Sequence, residues 1–132
     1  MIPNIGETIT TEKAIELCQL FGFDYLVERI NGSPLDAFHD WPFDGASMIP
    51  DELFARIFKI PSLTEVALRH DLKYAYGEPG NRQEKARADE EFKQELLDDG
   101  TSPVLAQLMY QAVVTFGDGP IATHFSWGFA RN

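Results

Sequence analysis

From Thr11 onward the chain places apolar residues at helical spacing, with Ala14, Leu17, Cys18 and Phe21 on one face, Thr10 or Thr11 ahead of them and Gly22 behind. A hydroxyl before the first turn can accept an orphan backbone N–H, and a glycine after the last can take the left-handed conformation that closes a helix. The pattern therefore predicts a helix over 11–21 with one buried face. Tyr25–Ile30 is too short for its period to separate helix from strand before the Asn31-Gly32 turn. Ser33-Pro34 predicts a single helical turn and Asp40–Ser47 a loop. Pro50 suits the first position of a helix over Asp51–Lys59 that Pro61 ends.

The next stretch is the best punctuated. Ser62-Leu63-Thr64-Glu65 reads as a capping box, in which serine and glutamate satisfy each other's backbone donors, and it opens a helix running to Gly77, expected in a left-handed conformation. Glu78-Pro79-Gly80 is a turn and Asn81 a cap for a charged helix over Arg82–Leu97, with Ala86, Phe92 and Leu96 as a narrow apolar stripe, ended by Gly100. Ser102-Pro103 opens a last helix, Val104–Phe116, apolar on nearly every side and so expected at the buried centre. His124, Phe125, Trp127 and Phe129 lie in a tail expected to pack as irregular structure or a short helix. The expected fold is mainly α, a small helical domain around an antiparallel pair, 62–77 and 82–97, with a buried third helix over 103–116. Residues 1–40 form an added N-terminal layer and 121–132 an aromatic tail.

Length and composition agree with one folded domain: 132 residues, 44% hydrophobic and 24% charged, exclude a disordered or fibrous chain. Eleven Lys+Arg against 21 Asp+Glu give a net charge of -10. Such a surface repels phosphate backbones, which argues against nucleic acid, and limits membrane contact to transient attachment through a bound cation or an apolar rim; a protein partner stays compatible. Cys18 is the only cysteine, so neither an intrachain disulfide nor a cysteine zinc cluster can form. The first residues lack the pattern of a secretory signal, and no apolar run approaches the roughly 18 residues of a bilayer span. The cytoplasm of the producing cell is the expected location, with export left to a signal-independent route.

Two polar residues stand where apolar ones are expected. His70 lies on the stripe of Leu63, Val66, Ala67 and Tyr74, and Asp89 lies between Ala86 and Phe92, so both should point inward from neighbouring antiparallel helices. A histidine with one ring nitrogen held by a carboxylate presents the other as a base; the alternative is a buried pair that only fixes helix register. Asp71, turned about 100° from His70 around the helix, can face the loop that contains Asp44 and Gly45. Carboxylate with backbone carbonyls is a hard-cation environment suited to calcium. Zinc is the alternative metal, with His39 and His124 joining His70 and Asp71, although no short ligand spacing marks such a site. Ser47 has no nucleophile-elbow context. Trp41, Phe43, Phe125, Trp127 and Phe129 either rim a lipid-binding mouth or fill the core at two loops.

His70-Asp71-Leu72-Lys73-Tyr74, followed by Ala88-Asp89-Glu90-Glu91-Phe92, resembles the two-helix core of the phospholipase A2 superfamily, most closely the disulfide-free form in parvoviral capsid proteins. The resemblance implies that His70 activates a water, Asp71 binds calcium, and Tyr74 and Asp89 hold the histidine. Residues 41–120 would then be the phospholipase-like core, with the Asp44–Ser47 loop completing the metal and oxyanion site and Ser47, Phe43, Trp41 and Trp127 beside the substrate. Over roughly 43–120 the chain is also similar to an uncharacterised family of small phage and bacterial proteins, whose short Asp-x-Ala-Ser-x-Pro segment stands where known phospholipases have a glycine-rich calcium loop. The expected function is calcium-dependent hydrolysis of phospholipid or another small amphiphile. Its alternatives are a non-catalytic phage or mobile-element accessory protein and a metal-dependent cell-wall hydrolase.

Overall fold

In the computed structural model, Thr10 Oγ1 accepts the Lys13 N–H at 3.1 Å and Gly22 takes φ +78°, so the first helix, α1 (Thr11–Phe21), starts and stops at its sequence punctuation. The structure describes residues 2–4, 6–43, 63–117 and 126–132. Within them, α1 is followed by α2 (Asp24–Asn31), α3 (Leu63–Ala75), α4 (Arg82–Asp98) and α5 (Pro103–Gly117). Two short strands, β1 (Thr8–Ile9) and β2 (Trp41–Pro42), pair antiparallel with Ile9 opposite Trp41. The protein is mainly α, as expected. Tyr25–Ile30 resolves as helix, Ser33-Pro34 as a turn closed by the Ala37 N–H on the Pro34 carbonyl, and the start of the predicted loop at Asp40–Ser47 as strand β2. The expected helix over 51–59 and the Ser62 cap lie outside the described residues.

The centre of the molecule is α3, where the sequence pattern placed the last helix. Val66, Ala67, Leu68, His70, Asp71, Leu72, Lys73, Tyr74 and Ala75 are all buried, because α3 forms the common wall of two cores. On one side Leu68, Leu72 and Ala75 meet Leu17 and Leu26 of the N-terminal layer and Trp41 and Phe43 just after it. On the other, Val66 and Tyr74 meet Phe92 and Leu96 of α4 and Met109 and Val113 of α5. The expectation that α5 is the buried helix is corrected: Ala106, Met109, Ala112 and Val113 face inward, but Val104 is 72% exposed. Apolar character all round says what a helix could bury, not what covers it. Conversely α3 can be central despite its charges because they are engaged: Lys73 lies 3.5 Å from Glu91 and 4.9 Å above the Phe23 ring. The stripe on α4 is corrected as well, with Ala88, Phe92 and Leu96 buried and Ala86 exposed. Two of its inward positions, Lys85 and Asp89, are charged, which hides the true phase of the stripe from a count of apolar residues.

The end of α3 is fastened by side chains and the C-terminal tail. Its last carbonyls have no partner within the helix. Gly128 N donates to the Tyr74 carbonyl at 2.7 Å, Ala130 N to Ala75 at 3.1 Å, Arg29 Nη1 to Tyr76 at 2.9 Å and Arg131 Nε to Gly77 at 2.9 Å. Arg29 also holds Glu84 through two bonds of 2.7 and 2.9 Å, tying α2 to α4. Gly77 is not left-handed, contrary to expectation. It is glycine because the Trp127 indole lies over it, and an added Cβ would collide with that ring. No helix among the described residues is long and apolar enough to cross a membrane.

Gly77→Ala should therefore destabilise the protein by about 1–3 kcal/mol, the usual cost of overpacking. In denaturant titrations most of that loss should disappear in a Trp127→Ala background, since the two changes share one contact.

Candidate active site

The short turn after α3 returns the chain as α4 in the opposite direction, and three cross-helix contacts record the register: Arg69 with Glu95, His70 with Asp89, and Tyr74 with Lys85. His70 and Asp89 are each 1% exposed. His70 Nε2 lies 3.0 Å from Asp89 Oδ1, and the Tyr74 hydroxyl, one helical turn along α3, donates to the same oxygen at 2.5 Å. That hydroxyl has one proton; the Val113 carbonyl at 3.4 Å is a weaker acceptor than a carboxylate at 2.5 Å. The other carboxylate oxygen, Oδ2, accepts from Lys85 Nζ at 3.0 Å. Asp89 thus collects donors from His70, Tyr74 and Lys85, which is how a buried carboxylate stays charged.

Burial pushes the Asp89 carboxyl upward, but the hydrogen bond and charge of His70, with the bonds from Tyr74 and Lys85, outweigh it and hold the group below its ordinary 3.8. Burial pushes His70 below its ordinary 6.5 and prevails over the hydrogen bond and charge of Asp89, which act upward. Lys73 and Lys85 add to the lowering. At neutral pH the pair is a neutral imidazole beside an anionic carboxylate. Such a carboxylate only accepts, so the imidazole proton sits on Nε2 and the lone pair on Nδ1. The ring is fixed between Tyr74, with centroids 4.3 Å apart, and Phe92, at 4.6 Å.

His70, Asp89 and Tyr74 are therefore brought together as the sequence suggests. Lys85 escaped the sequence reading, although its i,i+4 spacing from Asp89 was a usable signal. Asp71 is buried on α3, while Asp44, Gly45, Ser47, His124 and Phe125 lie outside the described residues. Trp41 and Phe43 do not rim a mouth: they are 2% and 0% exposed in the N-terminal core, where the Trp41 indole donates to the Tyr76 hydroxyl at 3.1 Å. The core-filling alternative holds for both: β2 pairs with β1 at Trp41, and Phe43 exchanges backbone bonds with Gly6 and Glu7 just beyond it. Trp127 does adjoin the site, edge-on to Tyr74 at 5.1 Å, with its N–H on the Glu78 carbonyl at 2.7 Å.

His39 is exposed and its Nδ1 lies 2.9 Å from the Asp40 carbonyl. No three His, Cys, Asp or Glu side chains gather as metal ligands among the described residues. Of the expected calcium set those residues contain Asp71, whose carboxylate is the kind of oxygen donor that suits the ion. Cys18 is no nucleophile, since burial pushes its thiol up to about 12. A cleft of about 420 Å³ lined by Tyr25, Asn81, Gln83, Glu84, Arg87 and Glu91 lies outside the histidine cluster. Comparison with protein-family models, curated proteins and solved structures finds no match.

The acid side of the stability profile should report the cluster. Both groups bind protons less readily folded than unfolded, so lowering the pH favours the unfolded chain, first below 6.5 through His70 and again below 3.8 through Asp89. The melting temperature should fall between pH 7 and pH 5, and His70→Gln should flatten that interval.

Proposed function

We propose that the protein is a calcium-assisted hydrolase of phospholipid ester bonds, with a catalytic core like that of the phospholipase A2 superfamily. One observation carries this reading: His70 Nε2 and the Tyr74 hydroxyl converge on a single oxygen of Asp89, at 3.0 and 2.5 Å. That arrangement fixes the imidazole in the tautomer whose Nδ1 is a base. In the reaction Nδ1 takes a proton from water as the water oxygen bonds to the ester carbonyl carbon. Asp89 steadies the imidazolium, which then returns the proton to the departing alkoxide as the ester C–O bond breaks. Asp71, with Asp44 and Gly45, would hold the calcium, which supplies polarisation of the ester carbonyl. The proposed substrate is a phospholipid or similar small amphiphile met at a transient membrane contact. The proposed setting is a phage-related or bacterial protein acting in the producing cell's cytoplasm or as an exported effector.

A second reading, a non-catalytic accessory protein, draws on the near-complete burial of His70 and on the Lys85 ammonium that balances Asp89. In that case the cluster only locks α3 against α4.

Fatty-acid release from phospholipid–detergent mixed micelles separates the two. The hydrolase reading expects release that stops on chelation and a kcat about 10³–10⁴-fold lower in Asp89→Asn, whose amide can present a donor to the ring and invert the tautomer. Calcium should raise the melting temperature of the wild type and do much less for Asp71→Asn. A folded wild type that releases no fatty acid with calcium present leaves the accessory reading.

A further inference from the structure

Lys85 has no part in the water-activating step, yet it is 9% exposed and its Nζ sits 3.0 Å from Asp89 Oδ2 and 5.6 Å from the Tyr74 ring centroid. Lysines are rarely so enclosed without a defined partner. We propose that Lys85 is a positioning residue for the His70–Asp89 pair, occupying Oδ2 so that Oδ1 alone serves both His70 and Tyr74. The proposal rests on the hydrolase reading of the site and adds to it a residue that acts through Asp89.

The geometry separates its task from those of the other two donors. His70 and Tyr74 stand one turn apart on α3 and reach Asp89 across the helix interface, whereas Lys85 is one turn before Asp89 on α4 itself. The terminal torsion of an aspartate is broad and roughly two-fold, so two donors from one side leave the carboxylate free to turn and give each donor its own oxygen. The intrahelical bond from Lys85 removes that freedom. The carboxylate plane is then set relative to α4, and the imidazole bonded to Oδ1 is set with it. Lys85 also supplies the positive charge that keeps the buried Asp89 an acceptor for the His70 Nε2–H.

The test uses the full chain with Lys85→Met, which keeps the stem and removes the cation, and Lys85→Arg, which restores it. In the mixed-micelle assay Lys85→Met should lower kcat about 10–100-fold, the range for partners that orient a functional side chain, with KM nearly unchanged. Lys85→Arg should recover most of the loss. A second readout needs no substrate: the downfield proton resonance of His70 Nε2–H, assigned through His70→Gln, should be sharp in wild type and Lys85→Arg and broadened by exchange in Lys85→Met. If Lys85→Met does not fold, Lys85→Gln is read by the same two signals. A folded neutral variant that keeps wild-type kcat and the sharp proton overturns the proposal. Should the wild type hydrolyse nothing, the hydrolase reading fails while the proton resonance still decides the role of Lys85.

Discussion

A single carboxylate, Asp89, sets how the two central helices meet. It is buried, charged and fully engaged, with His70 and Tyr74 on one oxygen and Lys85 on the other. An ionised group in this position is tolerable only while its partners stay in place, and removing one partner of a buried pair costs about 3–5 kcal/mol. The α3–α4 register is therefore held at its middle by a polar cluster, flanked by Phe92 and Leu96 on one helix and Val66 on the other. Arg69, next to His70, adds a 2.8 Å bond to Glu95 across the interface and is itself held by a 2.9 Å bond to Glu65 within α3.

Rigidity around this cluster comes from the remainder of the fold. The N-terminal layer presses on the opposite side of α3, and the tail crosses its C-terminal end, where Phe129 packs against both cores. Trp127 braces the Tyr74 ring and requires glycine at position 77. The same tail that terminates α3 thus also limits how far Tyr74 can move from Asp89. A base that must present one nitrogen in one direction gains from support of this kind, because its tautomer and ring plane are settled before a reactant arrives.

Much of this was legible in the sequence. Thr10, Gly22, Asn81 and Gly100 marked helix ends through local chemistry that acts over one turn, and the mainly α class followed from their spacing. His70 was legible because it interrupts an apolar stripe, and Asp89 because it lies three residues before the buried Phe92, although Ala86 on its other side is exposed. What failed required knowledge of neighbours. Trp41 is a core residue because a two-residue strand pairs it with Ile9, more than thirty positions earlier in the chain, and Phe43 follows through backbone bonds with Gly6 and Glu7; no local pattern announces so short a ladder. The outer position of α5 and the inner position of α3 were reversed because charges on α3 are buried through partners on other elements. Lys85 differs: its i,i+4 spacing from an inward-pointing Asp89 is local, but a lysine among the many charges of α4 reads as solvated by composition alone.

The protonation of the His70 ring, which nitrogen-15 NMR of imidazole-labelled protein at neutral pH reports directly, decides whether Asp89 orients a base. The predicted spectrum shows His70 neutral, with a protonated Nε2 and an unprotonated Nδ1. An imidazolium at that pH, or a proton on Nδ1 with Nε2 bare, would contradict the arrangement in which Asp89 orients His70 as a base.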